Sequence, residues 1–251
     1  MYDLTGRVAI VTGASRGIGR ALALGLAGAG VSVVCAARNV SLCEEVAGEI
    51  LAAGGQALAV PCDVAARADH ERLLAATVER FGRLDVLVNN AGLLKPHFAT
   101  RVNEAELDDL LAVNFKGPFF LSVAALPHLA ADGGGAIVNI GALGATQPME
   151  GIGAYCAVKA AMANFATTMA REWAAQGVRV NTLVPGTIAT DMIMPADSTK
   201  RAQFVEDFSK QNLFGRLGEP DDLVGGCLFL ASDASGFMTG RSLFVDGGML
   251  R

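Results

Sequence analysis

The chain has 251 residues, of which 52% are hydrophobic and 18% charged, with a formal net charge of −5 at pH 7. That length suits one large α/β unit, and the acidic balance, with a pI of about 5.2, argues against a nucleic-acid surface. No run approaches the roughly 18 consecutive apolar residues that span a bilayer, and the N-terminus, with Asp3 and Arg7, does not read as a signal peptide. The five cysteines at 35, 43, 62, 156 and 227 are odd in number and scattered, and His70, His97 and His128 stand alone. Free thiols in a reducing cytoplasm, with no metal site, are expected.

Strand and helix alternate along the chain. Residues 7–12 form an apolar, β-branched run expected of a central parallel strand. The turn Thr12-Gly13-Ala14-Ser15-Arg16-Gly17-Ile18-Gly19 follows, and residues 20–27 read as a helix closed by Gly28 and Gly30. A second strand is expected at 31–37, a helix at 41–53 ended by Gly54-Gly55, a third strand at 56–62 and a helix at 67–81 closed by Gly82. A fourth strand at 84–89 leads through a loop to helix over about 104–131, bent near Gly117-Pro118. A fifth strand at 136–140, a long helix at 154–176 and a sixth strand at 178–184 come next. A less regular insert covers about 187–218, before a helix at 221–231 and a last strand at 242–245. Repeated βα units of this kind imply a Rossmann-type, doubly wound parallel sheet of about seven strands with helices on both faces. No linker or low-complexity segment interrupts it, so a single domain over 1–251 is expected.

The glycine-rich turn between strand and helix is the clearest functional signal. It presents bare backbone N–H groups at the positive end of a helix dipole, the arrangement that holds a dinucleotide pyrophosphate. Gly13 permits the turn, while Gly17 and Gly19 let phosphate and neighbouring strand come close. The second strand ends Cys35-Ala36-Ala37-Arg38, without the acid that usually binds the adenosine ribose hydroxyls. Arg38 and Arg16 are instead placed to contact a 2′-phosphate, which favours NADP(H) over NAD(H). Asp63, followed by Val64 after the third strand, either accepts from the adenine amino group or caps the next helix.

Tyr155 and Lys159 lie four apart on one face of a helix. A phenol with its ordinary pKa near 10 is a poor acid or base at neutral pH. A lysine one turn away, with an oxidised nicotinamide, is expected to lower that value, so that Tyr155 exchanges a proton with a carbonyl or alcohol oxygen as hydride moves.

These motifs, with Asn89-Asn90-Ala91-Gly92, Pro185-Gly186, the segment 229–233 and Val245-Asp246-Gly247-Gly248, resemble the short-chain dehydrogenase/reductase family in its single-domain form, over essentially the whole chain. The resemblance implies that Tyr155 is the general acid/base and that Lys159 binds the nicotinamide ribose. It implies that Asn114 holds a water linking Lys159 to a proton path; a local helix kink is the structural alternative. Asn90, Ala91 and Gly92 would line the cofactor cleft, and Ile188, after Pro185 and Gly186, would meet the nicotinamide carboxamide through its backbone, with Thr190 nearby.

One residue departs from the pattern. The family's catalytic serine stands thirteen positions before the tyrosine, and here that residue is Ala142. Loss of one preorganised donor costs on the order of 10²–10³ in rate. Three explanations stay open: an engineered change, replacement by another group such as Thr146 or a water, or a cofactor-binding regulatory or scaffold protein with little turnover.

The substrate pocket is expected to involve Leu93, Leu94, residues 142–150, Gly186 and the 187–215 segment, with Met192, Ile193, Met194, Phe204, Phe208 and Phe214 forming an apolar face. No arginine stands where it would clamp a substrate anion, which suggests a neutral ketone or secondary alcohol. The resemblance further implies a homotetramer or homodimer through helices 104–131 and 154–176, and no nucleic-acid or membrane partner.

Overall fold

In the computed structural model, which describes residues 2–147 and 149–249, seven parallel strands form one sheet in the order β3-β2-β1-β4-β5-β6-β7. β1 (Val8–Thr12) is fully buried and pairs with β2 (Ser32–Ala37) on one side and β4 (Val86–Asn89) on the other. β3 (Ala57–Pro61) closes one edge, while β5 (Ala136–Ile140), β6 (Arg179–Pro185) and β7 (Ser242–Val245) extend the other. Val, Ile, Leu and Ala dominate the strands because both faces are covered by helices.

One face packs against α1 (Gly17–Gly28), α2 (Val40–Ala52) and α8 (Val224–Ala231), through Leu22, Leu26, Val46, Ile50, Cys227 and Leu230. The other packs against α3 (Arg67–Phe81), α5 (Gly117–Ala130) and α6 (Gly153–Trp173), through Leu73, Leu121, Leu129, Met162 and Met169. The chain therefore has the α/β Rossmann-type architecture expected from its alternation. All five cysteines are free and buried.

Several boundaries move, each for a local reason. α1 begins at Gly17 rather than 20, so Gly17 and Gly19 belong to its first turn. β4 begins at Val86 because Asp85 turns its carboxylate inward, accepting from the Val8 N–H at 2.8 Å and from Arg83 at 2.6 and 2.9 Å. The helix expected over 104–131 is α4 (Glu104–Leu111), a π-helical turn (Ala112–Lys116) and α5. Pro118 has no N–H to give the carbonyl four residues back, that of Asn114, so regular α-helix fails one turn before the Gly117-Pro118 step. The whole stretch Glu104–Ala130 is long and apolar enough by composition to cross a bilayer. Here, however, it carries Leu121, Ala125 and Leu129 into the core. The irregular insert contains a helix, α7 (Ser198–Ser209), capped by the Asp197 carboxylate on the Lys200 N–H.

Candidate active site

Successive strands are added toward one edge from β1 to β3 and toward the other from β4 onward, and this switch between β1 and β4 opens a crevice above the carboxyl ends of those strands. A cleft of about 960 Å³ lies there. Thr12, the last residue of β1, binds its two sides together. Its Oγ1 accepts from the N–H groups of Asn90 (3.0 Å) and Ala91 (3.1 Å) and donates to the Val88 carbonyl (3.3 Å). The Asn90 amide donates to the carbonyls of Thr12 (2.9 Å) and Gly13 (3.2 Å).

The glycine loop is packed as closely as backbone allows. Gly13 has φ +65°, and a Cβ there would sit 2.9 Å from the Ala91 Cα. A Cβ on Gly19 would overlap the Gly13 carbonyl. Gly19 thus serves the turn's internal packing, while Gly17, with φ +54°, faces Thr190 across the cleft. Arg16 stands at the cap of α1, yet no side chain caps that helix and no acid lies in its first turn. Ser15, Arg16, Gly17, Ile18 and Gly19 all line the cleft. An uncapped helix N-terminus framed by glycines, with the partial positive charge of its free N–H groups, fits a pyrophosphate.

At the end of β2, Ala37, Arg38, Asn39 and Leu42 line the cleft, without an acid. Arg38 makes no ion pair among the described residues. Arg16 lies 3.7 Å from Asp191 of the 187–218 segment, in an exposed pair worth little energetically. Asp63 lines the cleft with Val64. It does not cap the next helix, as one reading of the sequence had it: Ala66 holds the cap position of α3, while Asp63 Oδ1 accepts from the Ala65 N–H at 3.0 Å. Buried His70 donates to the Val64 carbonyl at 2.8 Å and so holds this corner in place. Across the cleft, Pro185 ends β6 and Gly186 lies against the Asp246 backbone, where a Cβ would come within 2.8 Å. Thr187 and Ala189 pair with Gly218, which leaves the N–H of buried Ile188 without a backbone partner among the described residues.

Tyr155 and Lys159, in the first two turns of α6, line the same cleft. Lys159 Nζ donates to the Ile140 carbonyl at 2.8 Å and lies 5.8 Å from the Tyr155 ring centre. Burial pushes the Lys159 pKa down to about 8. Burial, then the neighbouring Cys156, pushes Tyr155 up to about 12. Burial dominates at Tyr155 in this geometry, whereas the expected lowering called on Lys159 together with an oxidised nicotinamide. Burial shifts each group toward its neutral form, because Lys159 donates to a carbonyl and no opposite charge among the described residues offsets desolvation.

Ala142 lines the cleft ahead of the short turn Leu143–Ala145, and its methyl offers no donor. Thr146 does not replace it: its hydroxyl donates to the Leu143 carbonyl at 3.1 Å, and it borders an adjoining pocket instead. Asn114 is buried inside the π-helical turn. Its Oδ1 accepts from the Leu93 N–H (3.0 Å) and its Nδ2 donates to the Leu93 carbonyl (2.8 Å). The side chain thus clasps the loop after β4, and the helix is irregular at this residue, as the structural alternative expected. A Cβ on Gly92 would lie 3.2 Å from Asn114 Oδ1, so Gly92 lets that clasp form.

The remaining wall is apolar. Leu93, Leu94, Leu143, Met149, Met192, Ile193, Phe204 and Phe208 line it, with Glu150 and Gln211. Met194 and Phe214 are not among the lining residues, and Phe214 is 77% exposed. Ala145 borders the adjoining pocket only, and Pro148 lies outside the described residues. Sequence reasoning passed over Asn39 and Leu42; an Asn just before an apolar helix was the available signal, since Asn39 Oδ1 accepts from the Leu42 N–H at 3.4 Å. It also passed over the buried pair Asn89 and Asn139, opposed across β4 and β5 and joined by a 2.9 Å hydrogen bond.

A family model described as enoyl-(acyl carrier protein) reductase matches residues 13–250. A 3-oxoacyl-[acyl-carrier-protein] reductase of Synechocystis sp. is 37% identical, with 100% of this chain and 99% of the relative covered. A 2-dehydro-3-deoxy-D-gluconate 5-dehydrogenase of Escherichia coli is 36% identical, covering 99% and 97%. Among solved structures, a short-chain alcohol dehydrogenase from Sinorhizobium meliloti 1021 superposes with a TM-score of 0.92 at 36% identity, covering 98% and 96%. An NAD(P)-dependent gluconate 5-dehydrogenase from Beutenbergia cavernae, with NADP bound at low occupancy, has a TM-score of 0.90 at 37% identity, covering 98% and 97%.

Proposed function

The chain belongs to the short-chain dehydrogenase/reductase family, and from that premise we propose that it is an NADP(H)-dependent carbonyl reductase or alcohol dehydrogenase interconverting a neutral ketone and a secondary alcohol. The observation that carries this reading is one cleft holding both Tyr155 beside Lys159 and the uncapped, acid-free start of α1.

Arg16 and Arg38, with no acid at the end of β2, support a 2′-phosphate and hence NADP(H). Gly13, Ser15, Gly17, Ile18 and Gly19 would hold the pyrophosphate, and Asp63, Val64, Asn90, Ala91 and Gly92 the adenine and central cleft. Pro185, Gly186, Ile188 and Thr190 would border the nicotinamide, whose carboxamide can accept from the free Ile188 N–H. When bound, that group supplies or accepts the hydride. Tyr155 donates a proton to the carbonyl oxygen during reduction and removes one from the alcohol during oxidation. Lys159 would hold the nicotinamide ribose. Asn114 supports the path through its place in the fold, clasping the Leu93 loop beneath the substrate. Ala142 leaves the substrate oxygen one donor short, so turnover is weakened rather than abolished. The relative named for a sugar acid takes an anion; the substrate half here has no arginine, which supports a neutral substrate.

A single domain over 1–251, with a lid at about 187–218, is part of the proposal. So are a cytoplasmic location and a homotetramer or homodimer. The partly buried ring cluster of Phe115, Phe119 and Phe165, contributed by the π-helical turn, α5 and α6, supports the assembly. Ala142 favours a second reading, a protein that binds NADPH and does not turn over. NADPH oxidation on a panel of neutral ketones decides between them. Activity lost by a factor of about 10²–10⁴ in Tyr155→Phe, with NADPH still bound, supports the enzyme; cofactor binding with no turnover across the panel supports the alternative.

A further inference from the structure

We infer that Glu150 sets the charge preference of the substrate half of the cleft, favouring compounds whose end remote from the carbonyl carries a protonated amine and turning away those ending in a carboxylate. This rests on the reading of the cleft as a reductase site and refines its substrate from a neutral ketone to a ketone with a cationic remote end.

Six charged side chains line the cleft: Arg16, Arg38, Asp63, Glu150, Lys159 and Asp191. The first three sit on the loops after β1, β2 and β3, the half assigned to the adenosine end of the cofactor. Asp191 faces Arg16. Lys159 is buried at the reacting centre with its ammonium on the Ile140 carbonyl. Glu150 is the charge that remains. It precedes Tyr155 by five residues, on the loop between the Ala142 turn and α6, and it makes no hydrogen bond or ion pair among the described residues. Its neighbours along the wall, Met149 and Ile152, are apolar. It also borders the adjoining pocket of about 560 Å³, so its carboxylate is reachable from both cavities.

An anionic substrate entering this half would meet a like charge and no guanidinium, while an amine would find a counter-ion with no competing partner. Because Glu150 is exposed, water screens the interaction, and the expected effect is roughly two- to fivefold in affinity per unit of ligand charge.

The test uses the NADP-loaded protein and three probes of one shape: cyclohexylmethylamine, cyclohexylmethanol and cyclohexanecarboxylate. Calorimetry at neutral pH should rank them amine, alcohol, carboxylate in steps of about two- to fivefold, and Glu150→Gln should collapse the whole spread to within about twofold. Equal affinities, a carboxylate bound most tightly, no measurable amine binding, or an unchanged ranking in Glu150→Gln would each overturn the inference. The matching amino, neutral and carboxylate ketones then separate the two proposals. Turnover with no charge ranking sinks the Glu150 assignment alone. Ranked binding without turnover of any ketone leaves Glu150 standing and sinks the reductase.

Discussion

On the cofactor side of the cleft, Gly19 lies so close to the Gly13 carbonyl that no methyl group fits between them, and Thr12 and Asn90 tie two loops together with five hydrogen bonds. On the substrate side, α7 buries none of its twelve residues, and Leu213 and Phe214 beyond it are 74% and 77% exposed. The first region is a rigid backbone cradle set on the ends of parallel strands. The second is a thin apolar cover carried on a loop. A dinucleotide is invariant, so its cradle tolerates and rewards tight packing. On the proposed reading the second region is the lid, and a lid that admits and releases substrate cannot be anchored by core burial without losing its motion.

Four measurements sharpen that contrast. The largest change is expected from Ala142→Ser, which adds a donor at the reacting centre where the two halves meet. Ketone reduction should rise by about 10²–10³, and an unchanged rate would mean that another donor already serves the substrate oxygen. Next come paired stability measurements. Gly19→Ala should lower unfolding free energy by about 1–3 kcal/mol through overpacking and weaken NADPH binding. Phe208→Ala, on the loosely held side, should move stability by less than about 0.5 kcal/mol while raising KM; equal losses in the two variants would erase the distinction between cradle and cover. Third, Arg38→Asp should shift the NADPH-to-NADH ratio of kcat/KM toward NADH by roughly tenfold or more, and an unshifted ratio would remove Arg38 from phosphate recognition.

The last measurement concerns Lys159. Its folded pKa of about 8 lies below the ordinary 10.5, so between those values the unfolded chain binds the extra proton. Stability contributed by this group therefore rises with pH through that window. Relative to Lys159→Met, the ligand-free protein should gain stability in denaturant titrations as pH climbs from about 8 toward 10, below the range where Tyr155 begins to act in the opposite sense. A parallel pH dependence in the two proteins would show that Lys159 keeps its charge in the fold.

Much of this was legible before any coordinate. The strands at 136–140 and 242–245 fall where their β-branched runs stand, and α3 ends at Phe81 because Gly82 takes the left-handed φ of +78° at its C-terminus. The glycine turn, the missing acid after β2 and the Tyr155–Lys159 spacing are local patterns set within one or two turns of chain. The helix bend near Gly117-Pro118 was readable in the same way, from an N–H that proline lacks.

What the tertiary structure alone decided depends on partners far apart in sequence. Asn114 is spent on Leu93, 21 residues away, and Lys159 on the Ile140 carbonyl, 19 away. Neither partner follows from a motif, yet together with burial they fix the Asn114 side chain on the Leu93 loop and push the pKa of Tyr155 up and that of Lys159 down. Thr146 likewise stood close to Tyr155 in sequence and proved to border a different pocket. The order of residues determined the strands, the turns and the inventory of chemical groups, because those obey short-range sterics and periodicity. Which groups meet, and how far burial shifts their proton equilibria, was decided by packing, because hydrogen-bond partners and desolvation are properties of the assembled neighbourhood rather than of the chain.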